Sequence, residues 1–210
     1  MKKLFLITIT SFVFACQNNH SNNSDAQKAD LNISQIENKE GSVEPENPEF
    51  QKYLEKFYAS DLPILVKGCE EEETSLYEFD GVEFSQFMKE RSFSYAQIPT
   101  NGDFKATITL GLADCYLPVL TTYKLDGKVI DSKTLAVGYC GGDCGFTCEE
   151  FMTISKDFKI YVADSIKSFE CDGEGNEIPE TFEQYVVFKE GKLLPDGRIE
   201  LSEEVKKMIE

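Results

Sequence analysis

Hydrophobic and polar positions divide the chain into three stretches of different character. Residues 4–15 are an uncharged, mostly apolar run that follows Lys2 and Lys3 and ends at Cys16. Residues 17–48 carry only scattered apolar side chains (Leu31, Ile33, Ile36 and Val43) among Asn, Ser, Glu and Lys. So few apolar groups cannot offset the entropy of ordering the chain, and the pattern predicts a disordered tether over residues 16–48. From residue 49 onward apolar residues recur as in a folded domain, and the remaining length, about 160 residues, suits a single domain over 49–210.

Within that domain the periodicity changes once. Residues 49–58 place Phe50, Tyr53, Leu54 and Phe57 at helical spacing, which predicts a short amphipathic helix covering a core. A strand is expected over 74–79, a turn at Asp80-Gly81, and a second short helix over 84–90 presenting Phe84, Phe87 and Met88. After Asn101-Gly102-Asp103 the pattern becomes β: segments 104–112, 117–125, 128–139, 149–155, 158–163, 166–171 and 181–189, with shorter returns at 192–194 and 199–201. Asp126-Gly127, Lys156-Asp157, Glu190-Gly191 and Pro195-Asp196-Gly197 read as turns, and Ser202-Glu203-Glu204 suits the cap of a terminal helical turn. Asp164-Ser165-Ile166, similar to a short O-glycosylation acceptor of some exported proteins, reads as one more turn between strands.

Seven or eight strands joined this tightly make an antiparallel meander. The long crossovers of a parallel sheet are missing, which excludes Rossmann-like and α/β-barrel folds. The predicted class is mainly β: a curled sheet, barrel or sandwich with short N-terminal helices packed on it. Runs such as Tyr161-Val162-Ala163 and 185–188 mark positions expected to be buried on both faces.

Charge then removes whole classes of function. The chain has 38 acidic and 21 basic residues, a formal charge of -17. That excess repels phosphate backbones, so no nucleic-acid partner is expected. The single histidine, His20, lies in the tether, which removes histidine-based triads and metal sites from the domain. No Gly-rich phosphate loop or nucleophile elbow is present, and no cofactor is expected. Enzymatic chemistry would have to come from paired carboxylates or a thiol, and the many acids single out no pair.

The N-terminus states an address. The apolar run is shorter than the roughly 20 residues that span a bilayer but suits the core of a signal peptide over 1–15. Val13-Phe14-Ala15-Cys16 resembles a bacterial lipobox, in which the signal peptide is cut before a cysteine that carries diacylglycerol. The resemblance implies lipidation of Cys16, palmitate-type acyl chains and permanent, non-spanning attachment to membrane. Loss of residues 1–15 removes Lys2 and Lys3 and no acid, taking the formal charge from -17 to -19.

Six cysteines remain: Cys69, Cys115, Cys140, Cys144, Cys148 and Cys171. An even count in an exported chain predicts a disulfide framework, with 15 possible connectivities. Cys140, Cys144 and Cys148 form a C-x3-C-x3-C run in a Gly-rich segment that reads as a hairpin, so at least one must pair remotely. The preferred reading joins Cys140 to Cys148 as opposed strand residues and leaves Cys144 for a distant cysteine. The spacing is wrong for a C-x-x-C redox motif or iron–sulfur ligation, a zinc site on Cys140, Cys144 and Cys148 would lack a His and compete with an oxidising compartment for thiolates, and no metal is expected there. Asp172-Gly173-Glu174-Gly175-Asn176, with Glu183 at the twelfth position, is loosely similar to an EF-hand loop. Glu177 replaces its turn glycine, however, and the segment reads as a polar turn.

Lipobox, Asn-rich tether and Cys-bearing β domain together resemble the small lipoproteins of Gram-negative envelopes. The resemblance supplies no catalytic residue. It implies a lipid-anchored protein of the bacterial envelope, at the outer membrane on its periplasmic or surface side. Its partners would be the membrane, through the anchor, and an envelope protein or small ligand. The leading expectation is a binding or structural module. A hydrolase using paired carboxylates is the alternative, and a thiol-redox protein with an exposed disulfide through Cys144 a further one.

Overall fold

The computed structural model describes residues 47–70, 75–88 and 90–209. The expected signal peptide, Cys16 and nearly all of the tether lie outside the described residues, as do Glu71, Glu72 and Glu73 of an acidic run. The described chain starts on a helix cap. The Asn47 side chain accepts from the N–H groups of Glu49 at 3.1 Å and Phe50 at 3.3 Å, and Pro48 fills a first-turn position that needs no N–H. Helix α1 (Pro48–Leu54) ends before the expected residue 58, because Tyr58 and Ala59 are already extended as strand β1 (Tyr58–Ala59).

Two six-stranded sheets follow. The first runs β1, β4 (Ser92–Ile98), β5 (Lys105–Gly111), β6 (Leu117–Tyr123), β7 (Val129–Thr134), and β3 (Glu78–Phe79) shares the edge of β4 with β1. The second runs β11 (Ile199–Leu201), β10 (Glu177–Leu193), β9 (Lys159–Cys171), β8 (Phe146–Ile154), β2 (Ile64–Val66), and β12 (Val205–Met208) also pairs with β10. Neither sheet closes. Every pairing is antiparallel except the two-residue contact of β1 with β4. The mainly-β meander is therefore present as a sandwich, with β2 exchanged early into the second sheet.

Strand alternation decides what lies between the sheets. Ala106, Ile108 and Leu110 of β5 and Leu120 of β6 meet Ile64 and Val66 of β2, Met152 and Ile154 of β8, and Ile160 and Val162 of β9, all buried. The first sheet is also covered outside. Phe50, Tyr53, Leu54 and Phe57 pack with Phe79, Phe84, Phe87 and Tyr123 into a second, largely aromatic core. Inside it the hydroxyls of Tyr53 and Tyr123 lie 2.9 Å apart, and Tyr123 also donates to the Phe87 carbonyl at 3.2 Å. Gly127 takes φ +91, and a Cβ there would sit 2.8 Å from Phe87 and 2.9 Å from Phe50, so the β6–β7 turn fits only glycine.

Several expected elements differ. Residues 84–88 form a turn, not a second helix, because Phe84 adopts the left-handed φ of +61, although Phe84, Phe87 and Met88 face the core as expected. Asp164-Ser165 and Glu190-Gly191 are not turns: each lies inside a continuous strand, with Asp164 opposite Val187 and Gly191 opposite Ile160. Residues 205–208 add strand β12 along β10, where a terminal helical turn was expected.

The aromatic core yields a test. Phe50→Ala should cost about 3–5 kcal/mol through the cavity it leaves. Tyr123→Phe should cost about 1–2 kcal/mol by stranding the Phe87 carbonyl. Urea unfolding of both variants measures the two values.

Candidate functional site: a buried carboxyl pair beneath the cysteine-rich crossover

The inner face of the second sheet is not apolar throughout. Rows of directly opposed residues run across it: Ile154 with Ile160, then Met152, Val162 and Lys189, then Glu150, Asp164 and Val187, then Cys148, Ile166 and Tyr185. Period-two alternation thus places Glu150 beside Asp164 on the same inner face that carries Met152 and Val162. Glu150 is 3% exposed and Asp164 0%.

Residues 135–145 lie over this row, crossing from β7 in the first sheet to β8 in the second. A crossover has no ladder, so its backbone groups need other partners. Asp164 Oδ2 accepts the Tyr139 N–H at 2.7 Å. Lys189 Nζ donates to the Ala136 carbonyl at 2.6 Å and lies 3.5 Å from Glu204. Tyr139 donates its hydroxyl to the same Glu204 at 3.0 Å, and the Leu135 N–H donates to the Pro118 carbonyl at 2.7 Å.

Glu150 has no such employment. Neither of its carboxyl oxygens makes a well-formed hydrogen bond, and Asp164 Oδ1 lacks one too, although the Gly138 N–H pulls on Glu150 and the Gly138 and Cys140 N–H groups pull on Asp164. Burial, and then the neighbouring Asp164 charge, push the Glu150 carboxyl up to about 7. The Gly138 amide and the Lys189 ammonium offset only part of this. Burial also raises Asp164, against the pull of the Tyr139 N–H and Lys189. Gly68 makes room for Glu150: a Cβ there would lie 2.0 Å from the Tyr116 carbonyl oxygen and 2.8 Å from Glu150 Oε1.

Three disulfides surround this end of the sandwich. Cys69 is bonded to Cys115, Cys140 to Cys148 and Cys144 to Cys171. The Cys140 and Cys148 sulfurs and an Asp164 carboxyl oxygen lie within 4.8 Å of one another. Cys148 is on β8, but Cys140 lies in the crossover, and the segment expected as a hairpin instead joins the two sheets. With loops of 46, 27 and 8 residues, chain entropy ranks Cys69–Cys115 first at about 4 kcal/mol, then Cys144–Cys171 at about 3.5 and Cys140–Cys148 at about 2.5.

The other sequence candidates are dispersed. Asp172 Oδ1 accepts from the N–H groups of Glu174 and Asn176, and Oδ2 from the Asn176 side chain, so the loop is capped by its own donors. Those bonds hold the Asp172 carboxyl below the usual carboxylate range, and Glu183 sits up the strand opposite Ser168. Cys144 is exposed, as the thiol-redox alternative requires. A shallow depression of about 570 Å³ at the β7 and β10–β11 edges carries both charge signs, with Lys133, Lys192, Glu190 and Glu200.

In the sequence Asp164 stands out only within the expected Asp164-Ser165-Ile166 turn, and neither Glu150 nor Lys189 is picked out from the many acids and lysines. Their signal was nevertheless present: in Glu150-Met152-Ile154 and in Ile160-Val162-Asp164-Ile166 a carboxylate occupies the apolar phase of a strand. Two converging carboxyls are what glycoside hydrolysis uses, but these two present almost no surface to a substrate. No family model, no curated protein and no solved structure matches the chain.

Two measurements follow from this geometry. Asp164→Ala, which strands the Tyr139 N–H, should cost about 1–3 kcal/mol, and Asp164→Asn, which keeps an acceptor, should cost less; chemical denaturation compares them. Alkylation of the denatured, unreduced Cys16→Ser chain should label no cysteine, and labelling at Cys144 would support a redox role instead.

Proposed function

We propose that the chain is a lipid-anchored protein of the bacterial cell envelope, held at the outer membrane, whose tethered β-sandwich binds an extracytoplasmic ligand or partner. Cysteine accounting carries the reading. The three disulfides use all six cysteines among the described residues, and the seventh, Cys16, ends the Val13-Phe14-Ala15-Cys16 stretch that resembles a lipobox. Three disulfides in one sandwich belong to an oxidising, extracytoplasmic environment. Among the described residues no helix is long and apolar enough to cross a membrane, and several acyl chains on one cysteine would hold a protein at a bilayer without a span.

For binding, the outer face of the second sheet offers the most distinctive surface. Phe151, Tyr161 and Phe188 form a half-buried aromatic row, with ring centroids 5.9 and 5.7 Å apart, flanked by exposed Leu65 and Val205. Such a row supplies contact area at low entropy cost. The net negative charge keeps the domain soluble and off anionic lipid. The hydrolase alternative finds a carboxyl pair but a sealed one, and binding is the better-supported reading.

Detergent phase partitioning of the full chain against Cys16→Ser tests the anchor. The native chain should enter the detergent phase and incorporate labelled palmitate, and Cys16→Ser should do neither. Equal partitioning of the two would remove the anchor from the proposal.

A further inference from the structure

We propose that Glu150 and Asp164 bind a divalent cation that prefers oxygen ligands, calcium first among them, between the second sheet and the crossover. Most neighbouring polar groups already serve the crossover, and the Gly138 and Cys140 N–H groups pull on the pair without a well-formed bond to it. Asp164 Oδ2 serves the Tyr139 N–H, and Lys189 serves the Ala136 carbonyl and Glu204. What remains is Glu150 Oε1, Glu150 Oε2 and Asp164 Oδ1, three buried oxygens without a well-formed hydrogen bond on side chains 3% and 0% exposed.

Buried carboxyl oxygens without partners carry a desolvation penalty that a protein retains only where something offsets it. The two carboxylates stand directly opposite each other on β8 and β9, where opposed Cβ atoms are about 4.5–5.5 Å apart, a span that one cation can bridge. A glutamate can bind bidentately, an aspartate by one oxygen, and the Tyr116 carbonyl oxygen lies beside Glu150 across Gly68. The nearby sulfurs of Cys140 and Cys148 are joined to each other and offer no thiolate, so the donor set is oxygen and favours a hard ion over zinc or copper. A divalent charge neutralises the two carboxylates, while the Lys189 ammonium, 3.5 Å from Glu204, acts on them only through space.

The test uses the full-length chain in detergent, stripped with EDTA and dialysed, then melted with calcium, magnesium, manganese or zinc chloride in turn. About one ion per chain should be retained. At a hundredfold excess over the dissociation constant the melting temperature should rise by roughly 5–10 °C. Glu150→Gln, isosteric and free of the buried charge, should fold and lose the rise, and Asp164→Asn should lose it too. An equal rise in native chain and Glu150→Gln would assign the ion to surface acids and overturn the proposal. A melting temperature indifferent to every cation, but falling as pH rises from 6 to 8, would also overturn it and show the pair sharing a proton.

Discussion

The packing of one sheet's inner face on the other's is the constraint from which the rest of the molecule follows. Ile108, Leu110 and Leu120 are fully buried against Ile154, Ile160 and Val162, and neither sheet closes on itself to bury them otherwise. At roughly 25 cal/mol per Å² of apolar surface removed from water, this layer is the largest stabilising term available. It also imposes a cost at the crossings. The chain changes sheets between β1 and β2, between β2 and β3, and between β7 and β8, and backbone in those crossings lies outside any ladder. Asp164 and Lys189 interrupt the apolar layer where the third crossing needs an acceptor and a donor. The buried charges are thus a consequence of topology.

The two sheets solve their outer faces differently. The first is covered by α1 and the 79–88 segment, so β5 is buried on both sides, and Thr107 and Thr109 alternate there with Ala106, Ile108 and Leu110. The second has its outer face open, and its large side chains shield one another: Phe151, Tyr161 and Phe188 surround Ala163, which is fully buried. Double burial was expected around Tyr161-Val162-Ala163 and at 185–188. It holds for Val162 and Ala163, but of 185–188 only Val187 is buried, and the fully enclosed strand is β5.

How far the sequence could be read depended on whether a signal was local. The mainly-β class, the helix through Phe50 and Tyr53 and the Asp126-Gly127 hairpin come from short-range spacing, and short-range spacing is what the chain records openly. Two failures came from trusting polar pairs as turns. Asp164-Ser165 and Glu190-Gly191 look like punctuation, yet both lie in mid-strand, where ladder bonds and burial override local preference. The left-handed Phe84 had no local signal, because only packing against Tyr53 and Phe79 explains an aromatic residue in that conformation. The carboxyl pair was recorded in the phase of two strands, but seeing it required knowing which strands pair.

The position of Cys69 has a mechanical meaning. Tension applied from the N-terminal side meets α1, then β1, then β2, and the last two are strands of two and three residues. These could peel away one after another without breaking the ladders between β4 and β7 or between β8 and β11, at the cost of the core contacts of Phe50, Tyr53, Ile64 and Val66. At Cys69 the path changes, because the bond to Cys115 passes the load directly into the β5–β6 hairpin, in the middle of the first sheet. The domain is therefore built with a short extensible leader and a covalent stop. Pulling from the N-terminal side would release some twenty residues of chain, at about 3.3–3.6 Å each, and with them the core contacts of Phe50, Tyr53, Ile64 and Val66, before the load reached Cys69.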